Sequence, residues 1–312
     1  MAERWLVTGA LGCIGAWTIR MLVRDGDAVV GYDLGDDLHR LELILSESEV
    51  AAVELARGDI TDLDALERLL DEREITRVVH LAALQVPFCR ADPVLGARVN
   101  VVGTVNVFEA VKRRLGRIPG VAYASSAAVY SATDPSPAPE SGPTRPMTHY
   151  GVYKLANEGT ARIYWADEGV PSIGIRPYVV YGPGRDQGMT STPTQAMAAA
   201  ARGESFAISY GGAAQYDYAP DVARSFVLAA DRVSEGAGVY TFPGVQAPMA
   251  EVVQAIEAAA PDAAGRITCA DEPLPFPPEL EHVGLEQAIG PVPHTALADG
   301  VRETIETFRA AL

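Results

Sequence analysis

The chain has 312 residues, of which 48% are hydrophobic and 21% are charged, so it is long enough to bury a large core and to form two closely joined domains. Its 25 basic and 41 acidic residues give a net charge of −16, which disfavours binding to nucleic acid or to an anionic membrane surface. Cys13, Cys89 and Cys269 are widely spaced, so we predict no disulfide framework and no metal site. We expect no signal peptide, no stretch that spans a bilayer, and a cytoplasmic location.

The first predicted strand, over residues 4–8, leads into a glycine-rich turn that opens an apolar-periodic helix: Gly9-Ala10-Leu11-Gly12-Cys13-Ile14-Gly15. Gly9 suits a tight turn, Gly12 has no side chain to block a pyrophosphate, and Gly15 lets the helix pack closely on the sheet. The first amides of the helix and its dipole then face the phosphates. The spacing differs from the usual G-x-G-x-x-G, but its place between a strand and a helix favours dinucleotide binding over an ordinary turn.

A second predicted strand, over residues 28–32, is followed directly by Asp33. A carboxylate at this place can accept hydrogen bonds from both hydroxyls of the adenosine ribose, and it repels a 2′-phosphate. The glycine turn contains no Arg or Lys, and the first one after Asp33 is Arg40. The sequence therefore predicts NAD rather than NADP. The alternative is that Asp33 caps a helix or is simply solvated.

Strands and helices continue to alternate up to about residue 176. The pattern predicts strands over 53–56, 77–81, 121–125 and 171–176, and helices from Asp62, over 93–115 and over 148–168. Continuous apolar strands separated by helices are typical of a doubly wound parallel sheet, so we expect a Rossmann-type α/β fold. We expect residues 1–185, with 218–235 returning, to form the NAD-binding Rossmann domain. A smaller substrate-binding domain is expected from residues 186–217 and 236–312, over the carboxyl ends of the strands.

Tyr150 and Lys154 are four residues apart, so a helix places them on one face. A free tyrosine has a pKa near ~10, and a nearby ammonium or an oxidised nicotinamide ring favours its phenolate form. Lys154 can also hold the nicotinamide ribose. This spacing also arises by chance on surface helices. The functional interpretation of the pair is strengthened because Ser125 and Ser126 lie at the end of the strand over 121–125, where a hydroxyl can reach the oxygen of a substrate.

Together these motifs resemble the extended short-chain dehydrogenase/reductase superfamily, in its NAD-dependent epimerase/dehydratase family. The resemblance covers nearly the whole chain and includes Gly58 to Ile60, His80 to Ala83, Asn100 to Thr104 and Arg176 to Pro183. It implies a catalytic triad of Ser126, Tyr150 and Lys154, with Ser125 the less favoured hydroxyl. It also implies that the following residues contact the cofactor: Gly9, Leu11, Gly12, Cys13, Ile14, Gly15, Asp33, Asp59, Ile60, Leu81, Ala82, Ala83, Asn100, Tyr150, Lys154, Pro177 and Val179.

Departures from the family pattern bear on the reaction. Family dehydratases carry an Asp-Glu pair where this chain has Ala127 and Ala128, which argues against elimination of water. Nucleotide-sugar members usually have an Asn at the position of Val179 and an Arg near Gln215, and both contact the diphosphate. Losing these contacts, worth ~1.5–3 kcal/mol each, favours a free sugar, polyol or sugar acid as substrate. The expected substrate side of the cleft comprises Gln85, Ser126, Tyr178 and Arg185.

The sequence thus predicts an NAD-dependent oxidoreductase that transfers a hydride at a secondary alcohol or ketone, with Tyr150 as acid/base, Ser126 aligning the oxygen and Lys154 holding the ribose. One alternative is a nucleotide-sugar (UDP- or dTDP-sugar) epimerase with tightly bound NAD. Another is a non-enzymatic NAD sensor, which the complete triad disfavours. The resemblance also implies a homodimer formed by the helices over 93–115 and 148–168. Their apolar positions, such as Val101, Val105, Phe108, Tyr153 and Ala161, are numerous enough to serve both the core and an interface; the alternative is a monomer in which they only cover the sheet.

Overall fold

The computed structural model describes residues 3–312. In this part of the chain the strands are β1 (Arg4–Thr8), β2 (Ala28–Asp33), β3 (Glu54–Arg57), β4 (Arg77–His80), β5 (Val121–Ala124), β6 (Ser172–Arg176), β7 (Val179–Tyr181), β8 (Phe206–Ile208), β9 (Ala213–Tyr218), β10 (Ala237–Thr241), β11 (Val245–Pro248) and β12 (Ile267–Cys269). The helices are α1 (Cys13–Asp25), α2 (His39–Ile44), α3 (Glu47–Ala51), α4 (Leu63–Glu72), α5 (Val86–Ala91), α6 (Pro93–Ala97), α7 (Gly103–Lys112), α8 (His149–Glu168), α9 (Thr192–Ala201), α10 (Ala219–Arg232), α11 (Met249–Ala259), α12 (Leu285–Ile289) and α13 (Leu297–Ala310).

Seven parallel strands form the central sheet in the order β10-β6-β5-β4-β1-β2-β3. The chain runs outward in one direction from β1 to β3 and then outward in the other from β4 to β10. The strand order therefore reverses between β1 and β4, and ligands of such sheets bind outside the carboxyl ends of the strands at this point. The predicted Rossmann-type fold is confirmed.

Apolar residues on both faces of the sheet explain why it is covered by helices on both sides. Trp5 and Val7 of β1 contribute to the core beneath α1 and α10, whereas Leu6 of the same strand contributes to the core beneath α4 and α7. Because successive side chains of a strand point to opposite faces, a strand that is apolar throughout must be buried on both. The near-continuous apolar strands of the sequence are therefore explained by two separate cores.

A third core lies in the smaller part of the structure, where β7, β9 and β11 form one sheet and β8 and β12 form another. The predicted boundary at residue 236 needs one correction. Strand β10 pairs in parallel with β6 along its whole length, so it extends the central sheet instead of joining the smaller part. Helix α12 likewise packs against α10 and shares its core.

Residues Pro93–Lys112 form one continuous helical rod, in which a π-helical segment, Arg98–Val102, joins α6 to α7. Within residues 3–312 this rod is long and apolar enough to meet the length and composition of a membrane-spanning helix, contrary to the expectation that no stretch does. Half of it is buried in the protein, where it packs against α4, α5 and α8. Its apolar character is accounted for in part by this packing.

Candidate active site

The glycine turn between β1 and α1 has the geometry that the sequence predicts. Gly9 has a φ of +69°, and a Cβ there would lie 2.7 Å from the Ala82 nitrogen. A Cβ on Gly15 would lie 2.1 Å from the Gly9 oxygen, so both glycines are required by the packing of the turn itself. A Cβ on Gly12 would lie 3.2 Å from its nearest neighbour, the Gly9 oxygen. Gly12 precedes the first residue of α1, and the free N–H groups of this helix open on a cleft. This arrangement fits a pyrophosphate.

Asp33 lies at the end of β2, beside the glycine turn. Its carboxylate accepts hydrogen bonds from the backbone N–H groups of Leu11, at 3.0 Å, and Gly35, at 3.1 Å. These contacts fix the carboxylate at the end of the cleft that Gly58 and Asp59 also line. The position is that of an acceptor for the adenosine ribose, and it fits NAD.

The cleft has a volume of about 570 Å³ and runs along the carboxyl ends of the central strands. It brings together most of the residues predicted to contact the cofactor. Those that line it are Gly9, Leu11, Gly12, Cys13, Ile14, Gly15, Asp33, Asp59, Ile60, Leu81, Ala82, Ala83, Tyr150, Lys154 and Pro177, and the predicted substrate residues Gln85, Ser126, Tyr178 and Arg185 line it as well. Further walls of the cleft come from residues that were not predicted from the sequence: Arg40, Phe88, Val180, Asp186, Met189 and Phe276.

Two predicted cofactor residues lie outside the cleft wall. Asn100 is fully buried in the π-helical segment, where its amide accepts from the Leu84 N–H at 2.7 Å and donates to the Leu84 carbonyl at 2.8 Å. It therefore fastens the backbone of a cleft residue without reaching the cleft itself. Val179 is fully buried in β7 and packs in the core of the smaller part, while Tyr178 and Val180 line the cleft. The inferred loss of a diphosphate contact at residue 179 is therefore not supported by the position of this side chain.

The strand near Gln215 supplies no cation to the cleft within the described residues. Gln215 is buried in β9, and its side-chain amide donates to the Phe242 carbonyl at 2.6 Å and to Asp217 at 3.3 Å. Asp217 in turn accepts from the Tyr178 N–H at 2.6 Å. This buried set of hydrogen bonds holds the backbone of Tyr178. Gln215 thus has a structural role at the place where other family members are expected to carry an arginine.

Helix α8 holds Tyr150 and Lys154 against the cleft. Thr148 caps the helix by accepting a hydrogen bond from the Gly151 N–H at 3.0 Å. A Cβ on Gly151 would lie 2.1 Å from the Ala128 carbonyl oxygen, so the helix approaches the turn after β5 as closely as a glycine allows. Lys154 is 4% exposed, and its ammonium lies 5.6 Å from the centre of the Tyr150 ring.

The two serines after β5 have different surroundings. The Ser125 hydroxyl is buried and donates to Glu158 at 2.5 Å, and Glu158 is paired with Arg176 at 2.7 Å. The Ser126 hydroxyl accepts from the Ala128 N–H at 3.1 Å and lies on the cleft wall, half-buried. Because an accepting hydroxyl keeps its own proton free, Ser126 can donate to a substrate oxygen, whereas Ser125 is already engaged.

Burial dominates the titration of the cleft residues. Desolvation raises the pKa of the Tyr150 phenol, and the nearby Ser126 hydroxyl partly opposes this rise. The expected depression of the Tyr150 pKa by Lys154 is therefore not found. Desolvation also lowers the pKa of Lys154 from 10.5 to about 8, and the ammonium is held by the Ala124 carbonyl at 2.7 Å. His80, which burial keeps neutral with a pKa of about 3, is a packed residue bonded to Thr8.

Arg40 joins the glycine turn to the opposite wall of the cleft. Its guanidinium donates to the Leu11 carbonyl at 2.8 Å and to the Gly184 carbonyl at 3.1 Å, and it pairs with Asp186 at 2.6 Å. The sequence marks Arg40 only as the first Arg or Lys after Asp33. Its partners are close only in the folded chain, since Asp186 is 146 residues away.

Comparison with known proteins agrees with this geometry. The model of the NAD dependent epimerase/dehydratase family matches residues 5–241. The chain belongs to this family. A UDP-glucose 4-epimerase of Mycolicibacterium smegmatis is 33% identical to this member over 98% of each chain. UDP-glucuronate 4-epimerase 2 of Arabidopsis thaliana is 34% identical over 183 residues, which are 57% of this chain and 42% of that protein.

Solved structures of the family superpose over nearly the whole chain. The crystal structure of Thermus thermophilus UDP-glucose 4-epimerase in complex with NAD has a TM-score of 0.82 and 27% identity, and the match covers 99% of this chain and all of that one. A partial consensus L-threonine 3-dehydrogenase has a TM-score of 0.85 at 23% identity over 99% of this chain and 100% of that one, which shows a shared fold. The predicted family, its NAD cofactor and its enzymatic nature as an NAD-dependent epimerase or dehydrogenase are confirmed.

Proposed function

We propose that this family member is an NAD-dependent dehydrogenase that oxidises a secondary alcohol of a small carbohydrate-type molecule, or reduces the corresponding ketone. The observation that carries the proposal is the meeting of Ser126, Tyr150 and Lys154 in one cleft with the glycine turn and Asp33. NAD, when bound, supplies the hydride acceptor. The cleft places proton-transfer groups in the same enclosed space, as such a reaction requires.

In the oxidation, a hydride leaves the substrate carbon and the hydroxyl proton passes to Tyr150. The Ser126 hydroxyl donates to the substrate oxygen and orients it toward Tyr150. Tyr150 takes this proton in its phenolate form; burial opposes that form by raising the Tyr150 pKa, and the Ser126 hydroxyl and the charge of Arg185 favour it. The Lys154 ammonium would hold the nicotinamide ribose of the bound cofactor. The Ala124 carbonyl fixes this ammonium.

Two features of the cleft bear on the reaction and the substrate. Ala127 and Ala128 line it with methyl groups, which cannot serve as the extra acid and base that elimination of water needs. Among residues 3–312, the substrate side of the cleft presents Arg185 as a cation without a carboxylate partner. A diphosphate that enters this site would lose the hydration of two charges and would gain an ionic contact for only one of them.

A nucleotide-sugar epimerase is the second candidate. It is favoured by the name of the Mycolicibacterium relative, which is similar over the full length. The same three side chains would then act twice, first to oxidise and then to reduce the substrate, so that no NADH accumulates. The two candidates thus differ in their products.

The test is a panel of free sugars, polyols, sugar acids and UDP- or dTDP-sugars, each followed by NADH absorbance and by NMR of the product. The proposal expects stoichiometric NADH and a ketone from a small substrate, and no reaction of the nucleotide sugars. Conversion of a nucleotide sugar into its epimer without NADH would replace the proposal with the second candidate.

We also propose that the enzyme is a homodimer through α8 and the helical rod 93–112. Of the apolar positions named from the sequence, Phe108 and Ala161 are fully buried and serve the protomer core. The exposed apolar residues are instead Val94, Leu95, Val102, Val152, Ile163 and Trp165. Light scattering should give a dimer for the wild type and a monomer for Val152→Glu with unchanged NAD binding, whereas a monomeric wild type at micromolar concentration would refute the interface.

A further inference from the structure

The cations of the cleft differ in what they already bind. Arg40 is paired with Asp186, and the Lys154 ammonium donates to the Ala124 carbonyl. Arg185 contacts the Thr190 hydroxyl at 3.2 Å, and no carboxylate of residues 3–312 lies within ion-pair distance of it. A guanidinium has five N–H donors, so most of those on Arg185 are open to another partner.

Two buried polar atoms on the substrate side of the cleft point to that partner. Arg185 Nε and Gln85 Oε1 are both buried, and neither has a hydrogen-bond partner in the described part of the chain. An unsatisfied buried donor or acceptor is destabilising, and these two belong to residues that line the cleft, which favours a ligand that pairs with both. The two side chains meet at Gly188, where a Cβ would lie 2.1 Å from Gln85 Oε1 and 3.2 Å from Arg185 Nη2. Gly188 has a φ of +101°, which lets the loop pass close to both side chains.

The charges define what the site can hold. A protein of net charge −16 repels anions in general, so an anionic substrate needs a local cation. One guanidinium matches one carboxylate, which it can bind through two parallel hydrogen bonds. Gln85 Oε1 only accepts hydrogen bonds, so its partner must be a donor such as a hydroxyl. A carboxylate with a hydroxyl nearby satisfies both orphaned atoms.

We propose that the substrate is a sugar acid, an aldonate or uronate, whose carboxylate pairs with Arg185 and one of whose hydroxyls donates to Gln85. The assignment rests on the proposed function, since the same cleft holds the reacting alcohol near Ser126 and Tyr150. The reaction is unchanged: a hydride leaves carbon for NAD and a proton leaves oxygen for Tyr150. The carboxylate is an anchor and takes no part in bond making.

Calorimetry of the NAD-loaded enzyme tests the anchor without relying on turnover. The ligands are gluconate, glucuronate and galacturonate, with glucose and galactose as neutral counterparts. Wild-type enzyme should bind at least one acid ten or more times more tightly than its neutral counterpart. Arg185→Gln should weaken that acid by about 10- to 150-fold, the range for a charge-assisted hydrogen bond, and should change the neutral sugar by less than about threefold.

The matched control is Arg90→Gln, since Arg90 is an exposed arginine that does not line the cleft. Gln85→Leu provides a second variant, and it should weaken acid binding by about tenfold. NAD binding and thermal unfolding should be unchanged in Arg185→Gln. Equal binding of acids and neutral sugars, or equal losses in Arg185→Gln and Arg90→Gln, would overturn the anchor.

The outcomes separate the anchor from the proposed function. Arg185-dependent binding of an acid without NADH formation would retain the anchor and refute the dehydrogenase. NADH formed from neutral sugars at rates that Arg185→Gln does not alter would retain the dehydrogenase and refute the anchor. Micromolar, Arg185-dependent binding of UDP or dTDP would assign the guanidinium to a diphosphate and refute the sugar acid.

Discussion

Replacement of Lys154 by methionine should remove a pH-dependent gain in the stability of the cofactor-free protein. Desolvation lowers the pKa of the buried ammonium from 10.5 to about 8. The unfolded chain keeps the ordinary value, so above about pH 8 the folded protein releases a proton that the unfolded chain retains. The free energy of unfolding of the wild type therefore rises through this range.

The size of this gain follows from the two pKa values. Their full difference corresponds to about 3 kcal/mol, and the part realised between about pH 7 and about pH 9.5 is about 2 kcal/mol. Lys154 is almost completely buried, so solvent screening reduces this figure little. Lys154→Met contains no group at this place that titrates, and it should lack the gain.

Urea unfolding of wild type, Lys154→Met and Lys112→Met at both pH values measures the effect. Lys112 is the other lysine of the chain, and Glu109 raises its pKa, so Lys112→Met should keep the wild-type increase. Contributions from the remaining groups are common to the three proteins and cancel in the difference. An increase in Lys154→Met equal to that of the wild type would show that Lys154 is not the desolvated cation described above.

Two other substitutions test the assignments at the two ends of the cleft. Asp33→Ala should narrow the preference for NAD over NADP, because the carboxylate would face the 2′-phosphate of a bound NADP. Titration of both cofactors into wild type and variant checks this, and equal affinities of the wild type for the two cofactors would contradict it. Ser126→Ala should lower kcat about 10²-fold or more, and it should move the pH–rate profile to higher pH because the Ser126 hydroxyl lowers the Tyr150 pKa. Ser125→Ala should mainly lower the free energy of unfolding, because Glu158 loses a buried hydrogen bond. Loss of rate in Ser125→Ala alone would reverse the choice of hydroxyl.

The sequence predicts those parts of the site that depend on local chemistry. Gly9 and Gly15 could be assigned because a tight strand–turn–helix excludes larger side chains, and the structure shows the clashes that a Cβ would cause. The four-residue spacing of Tyr150 and Lys154 predicts that both lie on one face of a helix, and this depends only on the geometry of the helix itself. Asp33 follows a buried strand, and the end of a parallel strand lies at the ligand edge of the sheet.

Other features depend on contacts between distant segments. Val179 was placed at the cofactor although the pleat of β7 turns its side chain into the core of the smaller part. Asn100 lies in a π-helical segment, whose altered register has no simple sequence signal. The Arg40–Asp186 pair and the addition of β10 to the central sheet join parts of the chain that no local pattern connects.

The most direct test of the proposed chemistry compares wild type with Tyr150→Phe, once the substrate panel has identified a substrate. General acid–base catalysis contributes about 10²–10⁴-fold, so the variant should lose at least that much of the rate of NADH formation. Its affinity for NAD should stay within about threefold of the wild type, because only the phenolic oxygen is removed. Substantial NADH formation by Tyr150→Phe, with NAD binding intact, would show that another residue moves the proton and would contradict the account.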